Sequence, residues 1–324
     1  MRTRRRCGGP GARPGTGPER VRGPVRARSP SRLAWERFRR DRAAVAAIVV
    51  LLAITVFAVL APLWEHLTGH PYDATFPGTG LDASGQPRGP CAEFPLGADQ
   101  LGRDVLVRAA YGARISLAVG VSAALLAAVA GTLTGTLAGL AGGLVDTLLS
   151  RLIDLTLALP YVLVAILLST TFRISTAGAG ITTTILVIAF FSVAAFARVI
   201  RGQVLALRRQ EFVDAARLLG ASKARIMVAE ILPNLTAHVT VLTALLIPSS
   251  IVFEATLSFL GAGVPPPMPS WGSMLGEGGD VFQTAWWLLV VPGVLLLATT
   301  LSFTVLGDAV RDALDPRGRR AARR

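Results

Sequence analysis

Three histidines are the side chains in this sequence best suited to metal binding or acid–base catalysis. His66 and His70 are four residues apart, a spacing that places two imidazoles on one face of a helix. Gly69 and Pro71 disfavour a rigid helix there. No third potential zinc ligand lies near the two histidines at the spacing that zinc sites use. His238 lies in an apolar stretch without a nucleophile motif. These patterns predict no metal site and no catalytic centre, so the chain is not expected to be an enzyme.

The single lysine, Lys223, excludes one common way of binding ATP. A Walker A motif needs a glycine-rich loop before its lysine, and none precedes Lys223. We therefore expect this chain to bind no cofactor itself. The two cysteines, Cys7 and Cys91, fall on opposite sides of the membrane in the topology derived below, so no disulfide is expected.

The composition is typical of a protein that crosses a membrane several times. The 324 residues are 52% hydrophobic and 16% charged, with a mean hydropathy of +0.55, whereas a soluble domain is about 25% charged. The formal net charge is nevertheless +13. A nucleic-acid-binding protein would concentrate its basic residues on a folded face, whereas here they lie beside apolar stretches. The composition therefore favours an all-α polytopic membrane protein without a nucleic-acid partner.

Six stretches are long and apolar enough to form membrane-spanning helices, which need about 20 residues each. The first is too long for a cleaved signal peptide and is interpreted as an anchor. The second is expected to end at a turn containing Gly139, Gly142 and Gly143. The predicted spans are residues 43–64, 115 to that turn, 148–171, 177–197, 231–253 and 286–306.

Basic residues alternate between loops and indicate the orientation. Residues 1–42 carry 14 arginines, residues 198–230 carry seven basic residues, and the tail after residue 306 carries six. Residues 257–285 carry none. By the positive-inside rule, both termini and the 198–230 loop are predicted to be cytoplasmic. The predicted organisation is a basic tail (1–41), a first span (42–64), an extracytoplasmic segment (65–112), a core of five helices (113–312) and a second basic tail (313–324).

Charges inside the spans are candidates for function, because they are costly in a bilayer. Arg151 and Asp154 are three residues apart and are predicted to form an ion pair. Glu254, near the outer end of the fifth span, could face either a translocation path or water. The pattern does not decide between these two.

The extracytoplasmic stretches show two further patterns. Within residues 99–113, apolar side chains alternate with charged ones, which favours an amphipathic helix at the outer membrane interface; gating of a substrate is the alternative. The run Pro265–Pro267 stiffens the loop after the fifth span. Trp271 is interpreted as an interfacial anchor, with contact to a ligand as the alternative.

The loop between the fourth and fifth spans is the most informative stretch. Its pattern predicts two short helices that meet at a turn at Gly220, after which Pro233 lies in the first turn of the fifth span. The pattern alone fits a solvated hairpin on the bilayer or a docking element for a soluble partner. The predicted apolar side contains Phe212, Ala215, Ala216, Leu219 and Ile226, and the polar side Glu211, Asp214, Arg217 and Arg225.

Several stretches resemble one protein family. Asp214-Ala215-Ala216, then Gly220 and Leu232-Pro233, resemble the EAA loop of bacterial ABC importer permeases, with Asp214 in place of Glu and Glu230 at a usually apolar or His position. Residues 95–105 and 111–117, 257–272 and 308–316 resemble the dipeptide, oligopeptide and nickel branch. The resemblance covers about residues 31–316, and its motifs occur in the same order.

The resemblance implies a type I ABC importer permease with six transmembrane helices in the bacterial inner membrane, surrounded by lipid. Its implied partners are two ATP-binding subunits that hold ATP and magnesium, a second homologous permease, and an extracytoplasmic substrate-binding protein. The substrate stays open among dipeptides, longer peptides, nickel chelates and other small solutes. The residues implied to contact the ATPase are Glu211, Phe212, Asp214, Ala215, Ala216, Gly220, Ala221, Ser222 and Arg225.

Two other classes of function fit the membrane topology. An ATP-independent channel or secondary transporter often shows inverted repeats and ionisable residues at mid-membrane, neither of which is clear here. A membrane scaffold would use the cytoplasmic loop only to recruit a soluble protein.

Overall fold

The computed structural model describes residues 41–171 and 177–314, and the regular elements in that part are helices. The predicted all-α class is therefore confirmed, while the two predicted tails lie almost wholly outside the described residues. The helices are α1 Arg42–Val59, α2 Ala61–Thr68, α3 Pro77–Gly80, α4 Val105–Ala141, α5 Gly143–Ala158, α6 Tyr161–Thr171, α7 Ala177–Leu207, α8 Glu211–Leu218, α9 Lys223–Arg225, α10 Leu232–Phe259, α11 Trp271–Gly279 and α12 Trp287–Leu314, with a π-helical turn Ile226–Ile231 between α9 and α10.

Five helical stretches are long and apolar enough to cross a membrane: α1, α4, α7, α12 and the continuous segment Lys223–Phe259. The pair α5 and α6 supplies a sixth crossing if it counts as one span. These stretches correspond to the six predicted spans. Below, the outer end of the bundle is the end with residues 60–104 and 260–286, and the inner end is the end with residues 208–225.

The third span was predicted as one helix over residues 148–171, and this is wrong. α5 and α6 meet at an angle of 91°. Pro160 lies between them, lacks an N–H group, and disfavours helical backbone in the residue before it. Leu159 is accordingly extended, with φ −73° and ψ 141°. Hydropathy does not reveal the break, because both halves are apolar.

α4 packs directly against α7 along three glycines of α4 spaced four residues apart. A Cβ atom at Gly135 would lie 2.6 Å from the carbonyl oxygen of Ala197, and one at Gly139 would lie 2.7 Å from Cγ1 of Val204. A Cβ atom at Gly131 would lie 2.9 Å from the nearest side-chain atom of α7. Small residues permit such close van der Waals contact between membrane helices. Gly139 therefore lies inside the helix, and only Gly142 and Gly143 of the predicted glycine turn follow α4.

The separate interfacial helix predicted within residues 99–113 is absent. Residues 99–104 form a turn in which the Asp99 carboxylate accepts hydrogen bonds from the backbone N–H groups of Leu101 and Arg103, each at 2.9 Å. α4 begins directly afterwards, with Asp104 as its N-cap. Asp99, Asp104 and Arg108 are all buried. The alternation of charge in the sequence therefore marks buried polar contacts rather than a solvated helix face.

Trp271 was predicted to anchor a loop at the membrane interface, but it lies in the core. Its indole N–H donates to the carbonyl of Ala109 at 3.2 Å, and its backbone N–H donates to the hydroxyl of Ser116 at 3.2 Å. The ring packs with Ile54 of α1 and Ala113 of α4. Trp271 thus joins α11 to α4 and α1 near the outer end.

The glycine contact predicts that Gly135→Ala destabilises the fold. The added methyl group overlaps the backbone of α7, and overpacking of this kind costs about 1–3 kcal/mol. The melting temperature of the purified protein in detergent measures the effect. Gly202→Ala is the matched control, because a Cβ at Gly202 meets no atom within 4 Å and alanine favours a helix over glycine by up to about 1 kcal/mol. A Gly135→Ala protein as stable as this control contradicts the packing described.

Candidate functional site

The inner hairpin, defined as residues 208–231, connects α7 to α10. α7 continues to Leu207, so the predicted loop of residues 198–230 begins as helix. The chain turns at residues 208–210, forms α8, turns again at residues 219–222, and resumes with α9 and the π-helical turn. Two helical pieces meet at Gly220 as predicted, and the second is continuous with α10.

Gly220 ends α8 in a Schellman motif. Its backbone N–H donates to the carbonyl of Arg217 at 3.0 Å, and the N–H of Ala221 donates to the carbonyl of Ala216 at 3.0 Å. This arrangement needs the positive φ of +78° at Gly220. A Cβ there would meet no atom within 4 Å. Backbone conformation rather than lack of space therefore favours glycine at this position.

Charges are placed along α8 so that they stabilise it. Glu211 and Asp214 lie in its first turn and Arg217 in its last, which complements the helix dipole. Arg217 also donates to Asp214 at 2.8 Å on the exposed side. In the next turn the hydroxyl of Ser222 accepts from the backbone N–H of Arg225 at 3.3 Å and caps α9. These charged groups and Ser222 are all exposed.

Val213 attaches α8 to the helical bundle. Its side chain is 0% exposed and packs in one cluster with Val204 of α7, Ile226 of the π-helical turn and Leu235 of α10. Ala216 and Ala221 pack against the same cluster and are half-buried. The predicted apolar side is therefore not one outward face, because Ala216 and Ile226 pack on the bundle together with Val213, which that side omitted.

The other residues of the predicted apolar side, Phe212, Ala215 and Leu219, point outward, and so does Leu218, which that side did not include. Phe212 and Ala215 are exposed, Leu218 is 89% exposed and Leu219 is 88% exposed. Together these four residues are called the apolar patch. Large apolar side chains grouped on a surface indicate contact with another molecule. Gly220 lies beside the patch and is exposed as well.

At the inner end, polar contacts join α7 to α5 and the start of the hairpin to α4. Arg201 of α7 donates from Nε and Nη2 to the two carboxylate oxygens of Asp146 in α5, at 2.6 and 2.9 Å. Such bidentate pairs combine strength with a defined geometry. Arg208 donates to the carbonyl of Gly139 in α4 at 3.0 Å. These contacts link α7 and the start of the hairpin to α4 and α5.

The predicted ion pair between Arg151 and Asp154 does not form. Asp154 instead pairs with Arg198 of α7. Both residues of the actual pair are about half exposed. The adjacent helix offers a partner that spacing along one helix cannot reveal.

The π-helical turn Ile226–Ile231 directly precedes α10, whose second residue is Pro233. The ring of a proline collides with the carbonyl group four residues earlier in a regular α-helix, and a π-helical turn is one way to accommodate this. Proline thus lies in the first turn of α10 as predicted, although helical backbone already starts at Lys223. Glu230 lies within the turn, where its carbonyl accepts from the side-chain amide of Asn234 at 2.6 Å.

Glu254 faces neither of the two environments considered from the sequence. It is fully buried near the outer end of α10. Its Oε1 accepts from the hydroxyl of Ser258 at 2.7 Å, while Oε2 has no partner among the described residues. Glu254 therefore belongs to the interior of this subunit rather than to an open path.

His70 has a structural contact. Its Nδ1 lies 3.0 Å from Oδ2 of Asp104, and its ring stacks on Phe94 with centroids 4.6 Å apart. These contacts hold the outer segment against the start of α4. Within residues 41–171 and 177–314, no group of three or more His, Cys, Asp or Glu side chains is arranged to hold a metal ion.

Comparisons with known proteins agree with one another. Residues 131–320 match the family described as binding-protein-dependent transport system inner membrane component, and residues 29–81 match the N-terminal TM domain of oligopeptide transport permease C. The chain is 43% identical over 287 residues to the oligopeptide transport system permease protein OppC of Salmonella typhimurium, covering 88% of this chain and 91% of that protein. It is 40% identical over 294 residues to the glutathione transport system permease protein GsiD of Salmonella paratyphi A, covering 91% and 93%.

A solved structure of the MetNI methionine ABC transporter in inward-facing conformations shares the fold. The TM-score is 0.51 at 17% sequence identity, and the match covers 63% of this chain and 94% of that chain. The fold predicted from the resemblance, that of an ABC importer permease, is thereby confirmed.

Burial of Val213 predicts that Val213→Asp detaches α8 from the bundle. A carboxylate in that apolar cluster lacks a partner, and burial of an unpaired charge is strongly unfavourable. Limited proteolysis of the purified subunit in detergent, without the ATPase, should then cut within residues 208–225 faster than in the unmodified protein. Ala215→Asp is the matched control, because it places the same group on the exposed side of the same helix. Equal cleavage of both variants contradicts the anchoring role of Val213.

Proposed function

The chain belongs to the binding-protein-dependent transport system inner membrane components, and on that basis we propose that its inner hairpin couples a separate ATPase to a peptide pathway. It is a permease subunit of an ABC importer and a multi-span protein of the bacterial inner membrane. Subunits of this kind transport rather than catalyse. The proposal concerns how this chain receives the energy of ATP hydrolysis and what it carries.

The apolar patch on α8 is the observation that carries the proposal. Leu218 and Leu219 are almost fully exposed, whereas Val213 on the opposite side of α8 is fully buried. The helix is thus held by the bundle on one side and presents an apolar surface on the other. An amphipathic helix of this form suits a groove on a soluble partner. The ATPase is the partner that an importer permease requires.

The individual residues divide into a centre and a rim. Phe212, Leu218 and Leu219 would enter the groove of the ATPase, and the small Ala215 would allow close approach. Charged Glu211, Asp214 and Arg225, with Ser222, would form the polar rim, as at other protein interfaces. Ala216, Gly220 and Ala221 would act indirectly, because they shape the end of α8 and its packing.

The proposed assembly contains four further subunits. Two ATP-binding subunits hold ATP and magnesium, one under each permease, and the second permease is homologous to this chain. A substrate-binding protein delivers the solute to the outer end. The seven basic residues between 198 and 230 support a cytoplasmic position for the inner end and both termini.

The proposed mechanism is alternating access. Closure of the ATPases on ATP moves α8, and the cluster around Val213 passes that movement to α7 and α10. The bundle then shifts between inward- and outward-facing arrangements, because the partner binds the two with different affinity. Peptides are the proposed substrates, since OppC permeases of oligopeptide transport are similar over most of this chain.

Replacing both leucines of the apolar patch tests the coupling role. In the double variant Leu218→Glu, Leu219→Glu, each lost side chain removes about 1.5–3 kcal/mol of apolar burial at the interface. Binding of the ATPase should fall by about a hundredfold or more. Co-purification of the ATPase in mild detergent and ATP-driven uptake of a labelled oligopeptide into membrane vesicles measure the two effects.

The double variant Leu218→Met, Leu219→Met is the control, because it keeps the surface apolar and of similar volume. It should retain both binding and uptake, and both variants should insert into the membrane normally. Full uptake by the glutamate variant would exclude the apolar patch as the coupling surface. ATP-independent uptake by the unmodified protein would instead favour a channel or secondary transporter.

A further inference from the structure

Pro248 interrupts the backbone hydrogen bonding of α10 within the membrane-spanning part of that helix. Proline has no N–H group, so the carbonyl oxygen of Ala244 lacks the bond that a regular α-helix would give it. The hydroxyl of Ser249 reaches the carbonyl oxygen of Leu245 only at 3.4 Å, which is long for a bond from a hydroxyl group. The backbone bonding of α10 is therefore weakened at this point, and helices commonly bend at such prolines.

The burial of α10 changes at the same residue. Every residue from 236 to 247 is half-buried or exposed. We call residues 232–247 the inner section of α10 and residues 249–259 its outer section. From Pro248 outward, most residues are buried, namely Pro248, Ser250, Ile251, Glu254, Ala255, Leu257 and Ser258.

The outer section packs with its backbone against two other helices. A Cβ atom at Gly120 of α4 would lie 3.1 Å from Cα of Ile251. A Cβ atom at Gly272 of α11 would lie 2.6 Å from Cα of Ala255. Small residues permit backbones to approach this closely, and such dense packing leaves the outer section little freedom to move against α4 or α11.

α4 and α11 are in turn joined to each other by charged side chains. Asp99, Arg103, Arg108 and Glu277 form a set of ion pairs that we call the outer network. Arg108 of α4 donates from Nη2 to both carboxylate oxygens of Glu277 in α11, at 2.9 and 3.0 Å. Arg103 donates to Glu277 at 2.7 Å and to Asp99 at 2.6 Å. The outer section of α10, α4 and α11 therefore form one closely connected block.

The inner section is packed more loosely. A Cβ atom at Gly307 of α12 would approach the end of the Leu245 side chain, at 2.9 Å, before it met backbone. A cavity of about 500 Å³ is lined by Thr132 of α4 and by residues of the inner section. A second cavity, of about 520 Å³, borders Pro248 and α12. The inner section therefore has room to move on two sides.

We propose that Pro248 is a hinge about which the inner section of α10 bends during transport, while the outer section stays fixed to α4 and α11. The helix is continuous from Lys223 of the inner hairpin to Phe259, so a movement received by the hairpin enters the inner section directly. The inference rests on the proposed function, because the ATPase supplies that movement. It differs from a rotation of α10 as one rigid rod, which would carry the outer section along.

Distances between two spin labels in this chain test where α10 bends. The importer is purified with its ATPase and placed in lipid nanodiscs, and the labelled chain carries Cys7→Ser and Cys91→Ser. Leu101→Cys, exposed in the turn before α4, is the outer reference. It is paired with Thr240→Cys of the inner section or with Val252→Cys of the outer section, both of which are exposed.

Pulsed electron paramagnetic resonance measures both distances without nucleotide and after trapping with ATP and vanadate. The distance from Leu101→Cys to Thr240→Cys should shift by several ångströms on trapping. The distance from Leu101→Cys to Val252→Cys should stay the same, because the outer section moves with neither the hairpin nor the inner section.

Pro248→Ala tests the proline itself, because alanine supplies the missing N–H group and favours a regular helix. The shift at Thr240→Cys should largely disappear, and the oligopeptide taken up per ATP hydrolysed should fall several-fold. The ATPase should co-purify as before, and the melting temperature in detergent should not fall. Pro292→Ala is the matched control. It makes the same change in α12, between Val291 and Leu295 at the packed outer end, and should leave the shift and the uptake unchanged.

Several results overturn the hinge. Equal shifts at Thr240→Cys and Val252→Cys would show that α10 moves as one rod. An unchanged shift in Pro248→Ala, or an equal loss of uptake in Pro292→Ala, would remove the special role of Pro248. ATP-driven uptake while neither distance changes rejects the hinge but keeps the importer. Uptake that needs no ATP, or a chain that purifies without an ATPase, instead rejects the proposed function and the hinge with it.

Discussion

The contact between α4 and α7 at three glycines is the constraint on which the rest of the structure depends. Lipid tails are as apolar as leucine, so helices in a bilayer associate through close van der Waals contact rather than through expulsion of water. The glycines bring the α7 backbone within reach of α4. Val204 is thereby positioned beneath Val213, and Arg208 is positioned at the carbonyl of Gly139. The inner hairpin owes its place on the bundle to this fit.

The two ends of the bundle depart from the usual distribution of side chains in opposite ways. The outer end buries two arginines, with an aspartate, beneath a half-exposed glutamate, whereas the inner end exposes two leucines to its surroundings. Each departure is unfavourable for an isolated subunit. At the inner end, the proposed contact with the ATPase would cover the exposed leucines.

Much of the fold could be predicted because the hydropathy of each stretch is a local property of the sequence. The spans follow from apolar length, and the turn at Gly220 follows from one glycine in an amphipathic pattern. The anchoring by Val213 could not be predicted, because α8 carries apolar residues on two sides and its own pattern cannot show which side the bundle covers. The outer network was missed since Glu277 lies 169 positions from Arg108. The break at Pro160 was missed, because both halves of the third span are apolar. The coupling roles of Glu211, Asp214 and their neighbours stay predictions.

The length of α7 has a consequence for how a partner reaches the inner hairpin. Its 31 residues extend about 46 Å at 1.5 Å per residue, whereas the hydrocarbon core of a bilayer is only about 30 Å thick. The span predicted for this helix ends at residue 197, so the surplus lies at the inner end, in the turns that carry Arg198 and Arg201. With the predicted span, α8 would lie outside the hydrocarbon core, and a soluble protein would reach its leucines from the water side.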